Sequence, residues 1–335
     1  MAQIGNTYLT LADVMKRQDE NDQIAQVIEM LNQSNPLLQY LQAVECNDGT
    51  SHLTTVRTGI PQPTWRMLYQ GVQPVKSTTA QVKDTTGMAE AWSEIDSKLV
   101  ALSGNPGALR LSEAEPIMEG MNQDMASTLF YGDQATAPAK FTGLAPRFSS
   151  LSAASGQQIV DAGGTGSTNT SIWFIESGPT ACHLLFPKGT KAGLQREDKG
   201  QQTKTLPDGS ILDVHREKFS WDIGFTVRDW RRVARVANID VAALTITAAT
   251  GANLFDMMVK AYHKMAKHKT ITQGSKIVVV NSTIMEYLDQ QSRRANSNAL
   301  LTWRELTKDS EPVLFFRNMP IVQCDALLNT EARVV

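Results

Sequence analysis

The chain is short of most things that mark a catalyst, a secreted scaffold or a membrane protein. Its 335 residues contain three cysteines, Cys46, Cys182 and Cys324. None belongs to a Cys-x-x-Cys pair, and an odd count gives no disulfide framework, so a reducing compartment is expected. Histidines number five. His52, His183 and His215 are scattered among strand-like segments, and His263 and His268 do not share a helical face. No metal-ligand spacing results, and neither a metal nor another cofactor is expected. No apolar run approaches the roughly 18 residues of a membrane helix, and no membrane partner is expected. The opening MAQIGNTYLTLADVMKRQ lacks the basic-then-apolar order of a signal peptide, which points to synthesis and use in cytoplasm. A net charge of −2 gives no bulk reason to seek nucleic acid.

Nucleophile and nucleotide motifs are missing too. Glu176-Ser177-Gly178 has no glycine two residues before the serine, so it is not a nucleophile elbow. Val278 to Thr283 has the strand-to-helix form of an anion site, but lacks the Gly-rich loop and lysine of a nucleotide site. No catalytic residue can be argued from spacing. Hydrophobic residues at 41% and charged residues at 20% are still those of a folded protein.

A local absence is more telling. No carboxylate lies between Asp48 and Asp84, while Arg57, Arg66, Lys76 and Lys83 do. The stretch from Ser51 to Lys83 is Thr-rich and carries Pro61, Pro63, Pro74, Gly59 and Gly71. Proline removes a donor and pushes its predecessor to extended geometry. A long two-stranded excursion is predicted, turning near Gly59-Ile60-Pro61 or Gly71. Such an arm cannot bury Trp65 and Tyr69 by itself. It needs a surface elsewhere, most simply on another subunit.

Around it, residues 1–50 read as an arm with short helices, one capped at Thr10 and one over 22–32 with Ile24, Val27, Ile28 and Leu31 on one stripe. Thr86 to Leu102 reads as strand, then helix. Ser112-Glu113-Ala114-Glu115 reads as a capping box opening a helix to Tyr131, with Pro116 in its first turn and Gly132 ending it. Its stripe, Ile117, Met118, Met121, Met125 and Leu129, is expected to be core. Ile172 to Ile175 and Cys182 to Phe186 read as buried strands. Residues 189–209 read as an exposed loop or hairpin turning at Pro207-Asp208-Gly209. Phe219 to Val227 alternates strictly, with Ile211 to Arg216 as a partner strand. A helix over 253–269, a strand over 276–280, a helix opened by Thr283 and Glu286, and strands at 313–316 and 321–324 follow. Arg228, Arg231, Arg232 and Arg235 are expected to form a solvated helical face paired with Asp229 and Asp240, or to meet an acidic partner, another subunit or a phosphate backbone.

In this order the elements resemble the major capsid protein of tailed double-stranded DNA phages. Three stretches are similar to the capsid subunits of short-tailed phages of the epsilon-fifteen type: LADVMKRQDENDQIAQVIEMLNQSNPLL, the stretch from HLTTVRTGIPQPTWRMLYQG to AWSEIDSKL, and EGMNQDMASTLFYGD. The resemblance implies an α+β capsid fold with four parts. An N-terminal arm spans 1–50 and an extended β-hairpin loop 51–85. A mainly peripheral domain spans 86–234, with a spine helix at 112–131 and long strands at 210–228. A mainly axial domain spans 235–335. It implies a shell subunit of hexamers and pentamers in an icosahedral head enclosing double-stranded DNA, located in the virion. Implied interface residues are Ile24, Ile28, Leu31, Arg57, Trp65, Arg66, Tyr69 and Lys76, and implied hinges are Gly59, Gly71 and Gly104. Other copies, scaffolding, decoration or cementing proteins and a portal are the implied partners, with non-specific proximity to packaged DNA. Locking is expected to be non-covalent, although Lys76 and Lys83 stand on the loop. Two other readings remain open: a shell of this fold with protein cargo, and an α/β enzyme with an anion site at Ser282-Thr283.

Overall fold

A computed structural model describes residues 35–245, 252–266, 274–294, 301–304 and 313–335. The expected arm helices, with Ile24, Ile28 and Leu31, lie outside the described residues. A one-turn helix, Leu37–Tyr40, leads to β1 (Ala43–Glu45) and the antiparallel pair β2 (Ser51–Gly59) and β3 (Thr78–Asp96). A short helix, Ser97–Leu102, the long helix Pro106–Tyr131 and a helical turn Leu144–Arg147 follow. Next come β4 (Ile159–Asp161), β5 (Asn169–Ser177), β6 (Cys182–Phe186), β7 (Gln195–Thr205) and β8 (Ile211–Val227). β9 (Val233–Asp240), a helix Leu254–Ala266, β10 (Ser275–Val280) and a helix Ser282–Arg294 precede β11 (Leu301–Arg304), β12 (Val313–Phe316) and β13 (Met319–Gln323).

The strands join in the order β11-β12-β13-β10-β5-β6-β8-β3-β2, with β9 on β5, β4 on β9, β1 on β6 and β7 on β8. β5 and β6 touch through one residue pair, Ser177 and Cys182. One body of sheet therefore gathers around β5, β9 and β10, and another around β8 and β3. The class is α+β.

β5 explains why its sequence is a continuous apolar run. Ile172 and Phe174 pack with Leu254, Met258, Ile284 and Leu288 of two helices. Trp173 and Ile175 pack on the opposite side with Leu129 and Phe130 of the long helix and with Phe148. Helices cover both faces, so both sets of alternate side chains must be apolar. Each such burial contributes roughly 1.5–3 kcal/mol.

Three expectations need correction. The long helix begins at Pro106, and Asn105 caps it by accepting from the Ala108 N–H at 3.2 Å. An asparagine followed by proline suits the cap and first helical position, where a missing N–H costs nothing. Ser112 lies inside the helix with its hydroxyl on the Leu109 carbonyl at 2.9 Å, and Pro116 is interior rather than in the first turn. Along the expected stripe, Met121, Met125 and Leu129 are core, while Ile117 and Met118 are partly buried around Phe219. Second, Ile211 to Val227 is one strand of 17 residues, not two partners. Its partners are β7, joined by the expected turn with Gly209 at φ +83°, β3 and, at its C-terminal end, β6.

Third, the arginine cluster is neither one helical face nor wholly solvated: Arg231 and Arg232 lie in a single 3-10 turn, Trp230–Arg232, and Arg235 on β9. Arg231 does pair with Asp229, at 2.8 Å. Arg232 and Arg235 are buried, and Arg232 meets Glu176 at 3.1 Å. Arg235 lies 2.9 Å from Glu331, donates to the Phe148 carbonyl at 2.8 Å and covers the Trp173 ring at 4.9 Å. Asp240 serves Thr168 instead, at 3.0 Å. A guanidinium is buried when planar acceptors surround it, and these acceptors come from distant segments.

The helix expected to open at Thr283 is capped by Asn281, whose side-chain oxygen accepts from the Ile284 N–H at 2.8 Å. Asn329 also reaches this terminus, 2.5 Å from Asn281 and 3.2 Å from Thr283. The chain's own amides occupy the place where an anion was considered.

Candidate assembly surface

The hairpin of β2 and β3 is a ladder from Ser51 opposite Thr85 to Gly59 opposite Thr78, with a bulge between Arg57 and Gly59. Beyond the bulge, residues 60–77 leave the sheet. The prolines explain this, since each lacks the N–H that a ladder needs. The tight turn is the second of the two expected, just before Gly71 rather than at Gly59-Ile60-Pro61. It lies at Met67 to Gln70, where the Gln70 N–H donates to the Met67 carbonyl at 3.2 Å. The Gln70 side-chain carbonyl accepts from the Met67 N–H at 3.3 Å, and Arg66 donates to the Gln70 carbonyl at 3.2 Å. Tyr69 takes φ +66°, a conformation that disfavours a side chain. The local bonds of Gln70 override the glycine preference.

This limb brings together most of the residues singled out from sequence. Trp65 is 97% exposed, and Ile60, Met67, Leu68 and Tyr69 stand open beside it. Arg57, Arg66 and Lys76 are exposed on the same limb. Isolated exposed apolar residues are ordinary; a contiguous group edged by cations marks a contact surface. Arg57 looks over a cleft of about 770 Å³ that separates β2 from Arg228, Asp229, Trp230 and Arg231. Gly59 sits at the bulge and Gly104 at φ +68°, before the cap of the long helix. Gly71 lies in the irregular limb.

The two carboxylates that bracket the acid-free stretch hold its root. Asp48 pairs with Lys83 at 3.2 Å and accepts from Ser51, and these contacts draw its carboxyl below the usual range. Asp84, buried, accepts from Arg147 at 2.8 Å and from Thr226 at 2.6 Å. Arg147 also donates to the carbonyls of Thr142, Gly143 and Phe225. The signal for this anchor was already in the sequence, in the placement of Asp48 and Asp84; its cationic partner, 63 residues away, was not.

Farther along β3, Glu94 takes both Lys204 and Arg216. Burial works to raise its carboxyl, and the two cations outweigh it, so the net direction is down. Glu217 likewise sits between Arg110 and Arg196. These charges tie β3, β7, β8 and the long helix into one frame for the limb.

Chemical function is not gathered anywhere comparable. Cys46, Cys182 and Cys324 are buried, and burial pushes each thiol up, Cys324 to about 11. Such thiols stay protonated and inert. Among the described residues, no three of His, Cys, Asp and Glu come together as metal ligands, and no helix is long and apolar enough to cross a membrane.

A family model for the major capsid protein GP7 matches residues 19–335. Among solved structures, a chain of bacteriophage Epsilon15 is 38% identical, with a TM-score of 0.80 over 100% of this chain and 99% of that one. A capsid chain of bacteriophage JBD30 shares the fold at 9% identity, with a TM-score of 0.50 over 89% of this chain and 92% of that one. No curated protein sequence matches the chain. The chain belongs to the major capsid protein GP7 family and is a structural subunit of a phage head, not an enzyme.

Proposed function

We propose that the 60–77 limb is the element by which each subunit grips an adjacent copy, and that hexamers and pentamers of such contacts close an icosahedral shell around double-stranded DNA. The exposed tip carries this reading. Trp65 and Tyr69 are open to solvent, and a tip with no apolar partner of its own gains by docking. Arg57, Arg66 and Lys76 orient the contact, and Ile24, Ile28 and Leu31 dock the arm on a neighbour. Gly59, Gly71 and Gly104 adjust the angle between limb, hairpin and body for unequal positions in the shell. Each contact is modest, but a subunit joined to several neighbours gains overall avidity by orders of magnitude.

In the same reading, 1–50 is the arm, 51–85 the extended loop, 86–234 mainly the peripheral domain and 235–335 mainly the axial domain. Assembly in the host cytoplasm with scaffolding protein and portal, followed by non-covalent locking and a decoration protein, completes it. A near-neutral chain suits a wall that lies near DNA without gripping it.

The test is the double variant Trp65→Ser with Tyr69→Ser, expressed in full length and imaged by electron microscopy. Shells are expected from the parent chain and not from the variant, while unfolding free energies of the unassembled chains agree within about 0.5 kcal/mol. Normal shells from the variant would end the proposal.

A further inference from the structure

The root of the hairpin holds a buried cluster for which docking at the tip has no use. His52 on β2 is 3% exposed and His183 on β6 is 0% exposed. Their rings meet edge to face, with centroids 5.6 Å apart. Arg228 Nη2, from the segment after β8, lies 2.8 Å from His52 Nε2. A guanidinium has nothing to accept with, so His52 Nε2 is the acceptor and the neutral ring carries its proton on Nδ1. His183 Nδ1 lies 3.3 Å from the Gly178 carbonyl, which accepts. That ring therefore carries its proton on Nδ1, and its bare Nε2 has no partner among the described residues.

A second proton on either ring has no acceptor to meet. At His52 it would point at a guanidinium. Two charged groups face the pair, Arg228 and Asp84 from β3. Asp84 is already committed to Arg147 and Thr226. Arg228 is held by the Pro179 carbonyl at 2.7 Å as well as by His52, so it stays where it repels a charged ring. Burial first, then Arg228, holds both imidazoles below their ordinary value, His183 down to about 4.

We propose that this cluster is an acid-released latch: neutral His52 and His183 tie β2 to β6 and to Arg228, and protonation of the pair frees the hairpin from the body. The cleft on the Arg57 side leaves room for the motion. The anchor of Asp84 and Arg147 remains as the pivot. In a shell, acid would then change the angle at which the 60–77 limb is presented. That consequence rests on the docking role of the limb; the latch itself belongs to the single chain.

The sign follows from linkage. The released histidines titrate near 6.5, and latched His183 only near 4. Above the ordinary value the latch is unaffected. Between it and about 4, opening grows by up to about tenfold per pH unit for His183, and His52 adds in the same direction. Below that the effect levels off.

Hydrogen–deuterium exchange of the full chain, corrected for intrinsic rates, reads the opening. Amides of Cys46 and Lys188, which bond the hairpin root to the end of β6 and the residues after it, are expected to open at least about tenfold more at pH 4.5 than at pH 7, with those of β9 unchanged. In His52→Gln with His183→Gln the rise is expected to vanish. A flat profile in the parent chain, or an equal rise in a folded double variant, overturns the latch. Should the variant fail to fold, exchange at the imidazole C2 position of the parent chain reads each histidine directly. His183 titrating near 4 supports the latch, and near 6.5 overturns it. The Trp65→Ser, Tyr69→Ser variant keeps the latch, so failure of the docking reading and failure of the latch give different results.

Discussion

Trp173 and Trp65 are the same side chain in opposite situations. Trp173 is wholly buried, with the rings of Phe130 and Phe148 at 6.2 and 6.0 Å and the Arg235 guanidinium over its face. Trp65 stands on the limb with Ile60, Met67, Leu68 and Tyr69 exposed as well. Around Trp173 the chain has spent its apolar surface on its own stability. On the proposed docking role, the limb keeps that surface for another molecule. A shell subunit needs both: a body that folds alone and a projection whose gain is deferred until copies meet. The charges divide in the same way. Buried arginines find acids within the body, while Arg57, Arg66 and Lys76 stand on a limb that contains no acid.

The comparison breaks first at Glu331. Arg235, Ser171 and Tyr131 all converge on this carboxylate, the last at 2.6 Å. Residues near it are bound as firmly, since Asn238 exchanges hydrogen bonds with Val334 in both directions at 2.8 and 2.9 Å. Glu331→Ala leaves a buried guanidinium without its acid, at an expected cost of about 3–5 kcal/mol in chemical denaturation of the unassembled chain. A loss below about 1 kcal/mol would mean the body does not depend on this closure. Next comes the root, where body and projection meet. Asp84→Asn removes the charge that Arg147 answers, with an expected loss of about 1.5–3 kcal/mol. Exchange should rise along β2 and stay level in β9. Loss spread evenly over the chain would show that the hairpin is part of the body after all.

The smallest effect separates two of the proposed hinges. Gly104 has φ +68°, and an alanine there is strained by about 1 kcal/mol. At Gly71 an added methyl meets nothing within 4 Å and φ is not positive, so Gly71→Ala is expected to fall within about 0.5 kcal/mol of the parent chain. Thermal denaturation of both variants checks the order. Equal losses would place the limb under the same constraint as the helix entry.

Much of this architecture was legible from local pattern. The Ile172 to Ile175 run, the alternation from Phe219 to Val227, the turn at Gly209 and the apolar stripe before Tyr131 depend on residues a few positions apart, and periodicity records those directly. The acid-free stretch with Trp65 and Tyr69 was as plain, because among the described residues the limb has no tertiary partner to alter its reading. The misreadings have a common origin. Ser112 has the form of a cap, but Asn105 stands six residues earlier and the helix had already begun. Ile211 to Arg216 looked like a partner of the strand it in fact continues.

By itself, then, the sequence determined the local period of most strands and helices and which segment finds no apolar partner among the described residues. Tertiary structure alone decided the fate of the charges. Arg232 finds Glu176 across 56 residues, Arg235 finds Glu331 across 96, and His52 finds Arg228 across 176. The physical reason is desolvation. An arginine is buried only when acceptors from several segments arrive together, and no stretch of sequence records which segments will meet.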